Sequence, residues 1–495
     1  MSLPQESDFP FIFSLLALND RAEDVVNHPS NKWLAWTNKD GTTLLGIEFN
    51  PILTPLKRRS TIAILGRTGS SDIVIEGDEF SKIHCSFEVH RDTNIIMLHD
   101  RSQAESTDFF GEDSIPIDEN DDHKIRKGGE RKVAVHPTLN TSLMIDNVEE
   151  TLLMFKLIWH CNIEQMTKQL QDRDRMEIDE DPQEAWTQVI PDIERLPDTV
   201  LPSRSLTRVH TPGPQVEESI RYSILGGSIG SGRFGKVYKA VNVDTGDLFA
   251  VKVIKLPEQA SLGERYWTAF RPEVKQEIEI LSSSNHVSIK PFHIFHASLT
   301  FPKPHIVEYI NHQEYKNGTS NADIFMALKD GDLASLLLRG YVQLPFDIAD
   351  SVLNHMLKAL KFLADKKIVH RDVKPENILF TSLPNGEYHF QLCDFGLCSR
   401  MNRARTFVGT PWYRAPEVMG KGIQSTKMDI WSLFMTMAWS LDVNGFRQAL
   451  RNSQGSEMPN GIIQSTREDP ILEPIREMAE FDPKRRASAA QMLKT

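Results

Sequence analysis

Cysteine is scarce in this chain of 495 residues. The only cysteines are Cys85, Cys161, Cys393 and Cys398, and none of them lie at the spacing of a metal-binding pair. Small secreted domains and zinc modules depend on paired or clustered cysteines, so both classes are excluded. We therefore expect a reduced, intracellular protein.

Long apolar segments and a basic surface pattern are also lacking. The longest apolar runs, 11–18 and 430–441, are too short to span a bilayer, and Met1 is followed by polar residues rather than a signal peptide. The net charge is −12 and the pI is about 5.8, with no basic stripe. We therefore expect no membrane partner and no direct nucleic-acid partner.

The composition that remains is that of a soluble globular protein, with 40% hydrophobic and 25% charged residues. The length is sufficient for two or three domains. Short β-type runs separated by Gly, Asp, Ser and Asn predict an all-β sandwich within residues 1–160. A charged and proline-containing stretch predicts a linker over 161–218, and the last domain covers 219–495.

The segment 370–377 reads His-Arg-Asp-Val-Lys-Pro-Glu-Asn and is followed by Asp394-Phe395-Gly396. Asp372 is a candidate base for the proton of a substrate hydroxyl. Asn377 and Asp394 are candidate ligands for Mg²⁺ on the phosphates of ATP. This order of residues predicts phosphoryl transfer.

A glycine-rich segment lies upstream. It begins at Ile229, and the eight residues 230–237 that follow read G-x-G-x-x-G-x-V. No helical pattern follows these glycines, which argues against a dinucleotide fold and predicts a β-hairpin. Glycines allow backbone N–H groups to approach phosphate oxygens.

Lys252 lies on the next short apolar strand and is a candidate cation for the α- and β-phosphates. Glu277 follows in a segment where Val274, Ile278 and Leu281 have helical spacing. Glu277 is a candidate ion-pair partner of Lys252, and Glu273 and Glu279 are the alternatives nearby. The family resemblance described next favours Glu277, because Ile280 and Leu281 follow it at the third and fourth positions.

Together these motifs resemble the eukaryotic protein kinases over residues 221–495. The resemblance implies a two-lobed α+β fold with ATP and Mg²⁺ in the cleft. It implies a catalytic set of Lys252, Glu277, Asp372, Lys374, Asn377 and Asp394. It also implies an ATP-binding set of Ile229, Gly230, Gly232, Gly235, Val237, Ala250, Lys252, Met326, Leu328 and Asp332, with Phe325 as the gatekeeper.

Further positions refine the expected substrate. Lys374, two residues after Asp372, resembles the serine/threonine subclass, with Thr410 bridging these two side chains. Glu376 resembles the acidic residue by which basophilic kinases hold an arginine of the substrate. Thr406 occupies the activating phosphosite of the family and lies in an R-x-x-T sequence, which favours autophosphorylation in trans.

Two loops of the N-terminal domain resemble the forkhead-associated (FHA) domain, which binds phosphothreonine peptides. Arg67 follows a Gly, and Ser81 and Lys82 belong to an S-x-x-H pattern that ends at His84. By this resemblance Arg67, Ser81 and Lys82 contact phosphate and His84 braces the loop. Glu105 falls where the family has asparagine, and its carboxylate is expected to weaken phosphopeptide binding.

An FHA domain followed by a serine/threonine kinase resembles the checkpoint-type kinases of DNA damage and meiosis. That layout implies a phosphothreonine-containing partner, a transient homodimer, and a location in the nucleus as well as the cytoplasm. Two alternatives remain: a scaffold that binds phosphopeptides and nucleotides without turnover, and a kinase whose sandwich is an autoinhibitory packing surface. The long segment 282–304 and Phe434, where the family has glycine, depart from the kinase pattern, and Phe434 is expected to distort a buried turn or helix.

Overall fold

The computed structural model describes residues 11–48, 60–115, 117, 131–146, 148, 150–160, 220–232, 235–254, 274–282, 305–314, 322–338, 346–400, 409–419, 424–453 and 458–494. The predicted linker 161–218, most of the segment 282–304 and Thr406 lie outside these ranges. The chain divides into two compact units, one made of 1–223 with 241–247 and one made of 224–240 with 248–495.

The first unit contains two β-sheets and a short helix, α1 (Asp20–Asn27). One sheet has the order β2-β3-β1-β11-β10-β8. Its strands are β1 (Phe11–Ala17), β2 (Ala35–Thr37), β3 (Thr43–Glu48), β8 (Thr107–Phe109), β10 (Ser142–Ile145) and β11 (Leu153–Trp159). The other sheet has the order β5-β4-β6-β7-β9. Its strands are β4 (Thr61–Gly66), β5 (Ile73–Val74), β6 (Cys85–Val89), β7 (Ile96–Asp100) and β9 (Lys132–Val135).

The two sheets enclose the core of this unit. Phe13 of β1 and Phe87 of β6 are fully buried, and their rings meet edge to face with centroids 5.1 Å apart. Neighbouring strands are antiparallel except β4 and β5, which are parallel. The loops at one end of β4, β6 and β7 carry the candidate phosphate contacts.

The second unit begins with a small sheet of order β12-β13-β14-β16-β15. Its strands are β12 (Tyr222–Gly232), β13 (Gly235–Asn242), β14 (Leu248–Ile254), β15 (Tyr309–Glu314) and β16 (Ala322–Ala327). The glycine-rich segment lies across β12 and β13, so the hairpin prediction is confirmed. Helix α2 (274–282) buries Val274, Ile278 and Leu281, as their spacing predicted.

A mainly helical part follows. Its helices are α3 (Leu333–Leu338), α4 (Phe346–Asp365), α5 (Pro416–Met419), α6 (Lys427–Ser440), α7 (Phe446–Asn452), α8 (Asn460–Glu468) and α9 (Ala489–Met492). Its short strands are β17 (Gly331–Asp332), β18 (Ile368–Val369), β19 (Ile378–Ser382), β20 (Tyr388–Leu392) and β21 (Ser399–Arg400).

Helix α6 is the centre of this part, because every residue from Met428 to Ser440 is buried. A helix that is apolar on all sides belongs in the core of a protein. Phe434 is fully buried within it, and the helix is continuous through that position. The expected distortion at Phe434 is therefore wrong, since the core accommodates the ring.

None of the helices in the described ranges combines the length and the apolar composition that a membrane crossing requires. Within the same ranges, no three or more His, Cys, Asp or Glu side chains are arranged to hold a metal ion. Cys85, Cys393 and Cys398 are free thiols, and Cys161 lies outside the described residues.

Candidate functional site

Three charged side chains meet beneath the glycine-rich hairpin. The Lys252 Nζ atom of β14 donates to Glu277 Oε1 of α2 at 2.6 Å and to Asp394 Oδ1 at 3.0 Å. Lys252 and Glu277 are each 2% exposed. The structure thus joins three residues that the sequence places 25 and 142 positions apart.

The charge of Lys252 is secured by its partners. Burial alone would lower the pKa of Lys252, but Glu277 and Asp394 outweigh burial and raise that pKa above its ordinary value. Burial alone would raise the pKa of Asp394. The Lys252 ammonium outweighs burial, so the pKa of Asp394 lies below its usual value. A fixed ammonium and a fixed carboxylate therefore line the same cleft.

The hairpin above these charges requires glycine. A Cβ atom on Gly232 would lie 3.1 Å from Lys252 Nζ and 3.2 Å from Asp394 Oδ1. A Cβ atom on Gly235 would lie 2.2 Å from the Val253 carbonyl oxygen. A side chain at Gly232 would fill the space above the Lys252–Asp394 pair, which is the space that a phosphate group would need, whereas one at Gly235 would collide with the backbone of β14.

The remaining ATP-binding candidates line the same sheet. Ile229 and Gly230 lie on β12, Val237 lies on β13, and Ala250 lies on β14 opposite Met326 of β16. Leu328 directly follows β16. Phe325 is fully buried and meets Phe249 edge to face, with ring centroids 5.3 Å apart. These candidates therefore lie on, or directly after, the strands of one sheet.

Asp332 has a structural contact that the sequence did not indicate. Its Oδ1 atom accepts the Ser335 amide at 2.8 Å, at the start of α3. Its side chain is therefore held in one orientation at the edge of the site.

The catalytic-loop candidates form a second compact group. The Thr410 hydroxyl donates to Asp372 Oδ1 at 2.7 Å and accepts from Lys374 Nζ at 3.0 Å. Lys374 Nζ also lies 2.9 Å from Asp372 Oδ2. Burial alone would lower the pKa of Lys374, but Asp372 outweighs burial and raises it. The structure therefore brings the candidate base, the lysine and Thr410 together as the resemblance implied.

Asn377 connects this group to Asp394. The Asn377 Nδ2 atom donates to the Asp372 carbonyl oxygen at 2.8 Å and to Asp372 Oδ2 at 3.1 Å. The main-chain carbonyl of Asn377 accepts a hydrogen bond from the main-chain amide of Cys393, the residue before Asp394, at 2.9 Å. An amide oxygen and a carboxylate are hard oxygen donors that suit Mg²⁺, so these residues fit the ion that the family implies.

Sequence reasoning assigned no role to Asp429, which supports the catalytic loop from α6. Its two carboxylate oxygens accept the main-chain amides of His370 and Arg371, both at 2.8 Å. Burial raises the pKa of Asp429 to about 7. The available signal was a single carboxylate close to the long apolar run that begins at Ile430.

Gln276 is a second residue that sequence reasoning missed. Its Nε2 atom donates to the Cys398 carbonyl oxygen at 3.2 Å, which connects α2 to the segment after Asp394. The residue precedes Glu277, and only the folded arrangement reveals its partner.

On either side of the expected phosphosite, the structure describes the chain up to Arg400 and again from Gly409. Thr406 lies outside the described residues. Arg371, which by the family resemblance would receive a phosphate on Thr406, is 8% exposed. Gly409 has φ +98°, and a Cβ atom there would lie 2.5 Å from the Arg371 carbonyl oxygen. Glu417 forms a bidentate ion pair with the buried Arg486 at 2.7 and 2.9 Å.

In the first unit, the FHA-type candidates lie on two adjacent loops. The Arg67 amide donates to the Ser81 carbonyl at 3.1 Å, and a Cβ atom on Gly66 would lie 2.2 Å from the Lys82 carbonyl. His84 is 1% exposed, and its Nδ1 atom accepts the Ser81 amide at 3.3 Å. Arg67, Ser81 and Lys82 are therefore close together, with His84 bracing their loop.

Two acidic side chains lie beside these loops. Arg67 Nη1 is 2.8 Å from Oδ1 of Asp78, whose side chain is fully exposed. Glu105 has φ +53°, and its Oε2 atom is 3.8 Å from Arg131 Nε. The Arg131 guanidinium also contacts Asp100, whose side chain is fully buried. The sequence identified Glu105 as unusual, whereas its Arg131 partner and Asp78 came only from the structure.

The part of the chain that carries the Lys252 cluster matches known proteins in sequence. Residues 224–495 match the family described as protein kinase domain. The serine/threonine-protein kinase KIC1 of Saccharomyces cerevisiae is 31% identical over 277 residues, covering 54% of this chain and 23% of that protein. The serine/threonine-protein kinase 10 of Rattus norvegicus is 29% identical over 289 residues, covering 54% of this chain and 26% of that protein. The chain thus spans about a quarter of the length of these relatives.

One solved structure resembles the chain beyond this domain. The crystal structure of Rad53 1–466 in complex with AMP-PNP has a TM-score of 0.52 and covers 88% of this chain and 91% of that chain. The sequences are 20% identical, so the likeness concerns the fold.

Proposed function

Because the chain belongs to the protein kinase family, with a match over more than half of its length, we propose that it transfers the γ-phosphoryl group of ATP to serine or threonine hydroxyls of proteins. The observation that carries this proposal is the Lys252–Glu277–Asp394 cluster. A buried ion pair of this kind serves phosphate positioning in kinases.

The residues act by position and charge. Asp372 is placed to accept the proton of the substrate hydroxyl, and Lys374 beside it offers positive charge to the transferred group. Asn377 and Asp394 would hold Mg²⁺, which neutralises phosphate charge when bound. Lys252 orients the α- and β-phosphates, and Glu277 keeps the ammonium in place.

Phosphate incorporation from labelled ATP into the full chain and into a threonine peptide tests this proposal. Asp394→Ala should abolish incorporation. Asp365→Ala, at the exposed end of α4, is the matched control and should leave it unchanged. Absence of label in the wild-type chain, with retained nucleotide binding, would favour the alternative of a scaffold without turnover.

The proposed sequence preference for substrates rests on Glu376. This residue is exposed and directly precedes Asn377. An exposed carboxylate beside the catalytic loop offers a partner for an arginine of the substrate. We therefore propose a preference for R-x-x-S/T sequences. A peptide with arginine three residues before threonine should be a better substrate than its alanine counterpart, and Glu376→Gln should reduce that difference.

The first unit would recruit phosphorylated partners. Arg67, Ser81 and Lys82 supply a guanidinium, a hydroxyl and an ammonium to one anion, which is a chemically sound phosphothreonine site. Recruitment of a second copy would raise its effective concentration and favour phosphorylation of Thr406 in trans. Checkpoint-type signalling and a nuclear location are part of this proposal.

Phosphopeptide binding separates recruitment from a purely autoinhibitory role of the first unit. A phosphothreonine peptide should bind the wild-type chain, and Arg67→Ala should weaken it at least 10-fold. Equal and weak binding by both proteins would instead support the autoinhibitory alternative.

A further inference from the structure

Glu105 holds a backbone conformation that is unfavourable for its residue type. Its φ of +53° lies in the left-handed region, which residues with a side chain rarely adopt. Neighbouring bonds impose this conformation, since the Ser106 amide donates to Ser102 Oγ at 3.0 Å and Ser106 Oγ lies 3.3 Å from His84 Nε2. The loop thus presents a carboxylate at a position where glycine or asparagine would be easier to hold.

The carboxylate of Glu105 retains capacity for another partner. Its side chain is 69% exposed, and its ion pair with Arg131 Nε is long, at 3.8 Å. The Arg131 guanidinium also contacts Asp100, a side chain with no exposure, so two carboxylates share one cation. The negative charge of Glu105 is therefore only partly offset and faces solvent.

Glu105 lies next to the candidate phosphate loop. The amide of Gln103, two residues before it, donates to Ser81 Oγ at 3.3 Å. The Arg101 amide donates to the His84 carbonyl at 2.8 Å. These two bonds fix the Glu105 loop against the loop that carries Ser81 and Lys82. The two loops therefore lie side by side, with the Glu105 carboxylate on one and the Lys82 ammonium on the other.

We propose that Glu105 selects phosphothreonine peptides that carry an arginine or lysine close to the phosphothreonine. This inference rests on the proposed phosphopeptide-binding role of the first unit. A phosphate held by Arg67, Ser81 and Lys82 leaves the flanking peptide residues near the exposed carboxylate. A basic side chain there gains an ion pair, whereas an acidic one is repelled. Glu105 thus acts as a selectivity determinant rather than as a defect.

The chain itself contains a sequence of this class. Residues 403–406 read Arg-Ala-Arg-Thr, so Thr406, once phosphorylated, would follow two arginines. Other proteins phosphorylated by a kinase that prefers R-x-x-T would likewise carry an arginine three residues before the phosphothreonine. The phosphorylated segment of a second copy is therefore a suitable probe for the site.

The test measures fluorescence anisotropy of the full chain with a labelled peptide of residues 401–411 phosphorylated on Thr406. A matched peptide replaces Arg403 and Arg405 with glutamine. Wild type should bind the arginine peptide about 3-fold to 5-fold more tightly, as expected for an exposed ion pair. Raising the salt concentration should reduce this ratio.

Variants assign the ratio to Glu105. Glu105→Gln should bring the ratio close to one, and Glu105→Lys should favour a peptide with glutamates at positions 403 and 405. Asp92→Asn removes an exposed charge at the other end of the β6–β7 hairpin and should leave the ratio unchanged.

The outcomes separate the two levels of the proposal. If the phosphopeptides bind, Arg67→Ala weakens them, and Glu105→Gln leaves the ratio unchanged, selection by Glu105 is refuted while phosphothreonine binding stands. If neither phosphopeptide binds, or Arg67→Ala has no effect, phosphothreonine binding itself is refuted together with the inference.

Discussion

A cluster of three histidines in the second unit should make the protein sensitive to mild acid. The rings of His305 and His355 stack with centroids 4.0 Å apart, and His389 lies 4.9 and 5.5 Å from them. The Phe390 amide donates to His355 Nδ1 at 3.3 Å, and its carbonyl lies 3.1 Å from His305 Nδ1. Protonation of one ring places a positive charge against its neighbours.

The pKa values set the size of the effect. Burial, followed by the charges of His389 and Lys358, lowers the pKa of His305 to about 4. Burial, followed by the other two histidines and Lys358, lowers the pKa of His355 to about 3. The unfolded chain binds protons at these sites near pH 6.5, so the folded state loses stability as the pH falls below 6.5.

At pH 5, linkage gives about 2 kcal/mol for each of these two histidines. Both rings are partly exposed and each contributes to the other's shift, so about 2 kcal/mol for the pair is the expected net loss. For a unit of this size that loss corresponds to a contribution of roughly 4–8 °C to the change in melting temperature between pH 7.5 and pH 5. The raised pKa of Asp429 opposes this contribution over the same interval, because the folded state binds a proton there before the unfolded chain does.

Calorimetry of the full chain at both pH values compares wild type with a variant, so that the Asp429 contribution, which both share, cancels. His355→Asn keeps an acceptor for the Phe390 amide but removes one titrating ring. On acidification its melting temperature should therefore fall by roughly 2–4 °C less than that of wild type, or rise by that much more. His90→Asn, in the β6–β7 turn outside the cluster, is the control. An unchanged pH dependence in His355→Asn would refute the linkage reasoning.

Three further outcomes are expected. Thr410→Val should lower kcat about 100-fold with little change in KM for ATP, whereas Thr410→Ser should retain most activity. Equal losses of activity in the two variants, measured in steady-state assays, would contradict a role of the hydroxyl. Glu417→Ala leaves Arg486 buried without its carboxylate and should cost about 3–5 kcal/mol of unfolding free energy in urea titrations, and a loss below about 1 kcal/mol would contradict this. Asp78→Asn frees Arg67 from a competing carboxylate and should tighten phosphothreonine-peptide binding about 2-fold to 5-fold; unchanged affinity would show that the ion pair does not compete.

Much of the kinase site was predictable because its chemistry is local in sequence. Asp372, Lys374 and Asn377 lie within six residues, and each needs a fixed type of side chain. Lys252 was predictable from its position on a short strand after the glycine-rich segment, and Glu277 from the family pattern of its helix. The structure joins the two side chains at 2.6 Å. Residue types that chemistry demands at a fixed spacing can thus be read from one chain.

The supporting contacts were not predictable because they depend on the folded core and on loop geometry. Asp429 reaches His370 across 59 positions, and its sequence neighbours give no indication of that partner. The ion pair between Arg67 and Asp78 likewise depends on how one loop folds back. Phe434 shows the opposite error, because its departure from the family pattern predicts a distortion that the continuous helix α6 does not show.

Helix α6 links catalytic competence to the folding of the helical part. Asp429 holds two catalytic-loop amides, and the buried Ser432 hydroxyl donates to the carbonyl of Tyr413 at 2.7 Å. Any substitution that loosens this helix will also release the catalytic loop, although no ATP contact has changed. Genetic screens should therefore recover temperature-sensitive alleles along α6, with normal activity in cool cultures and loss of activity on warming.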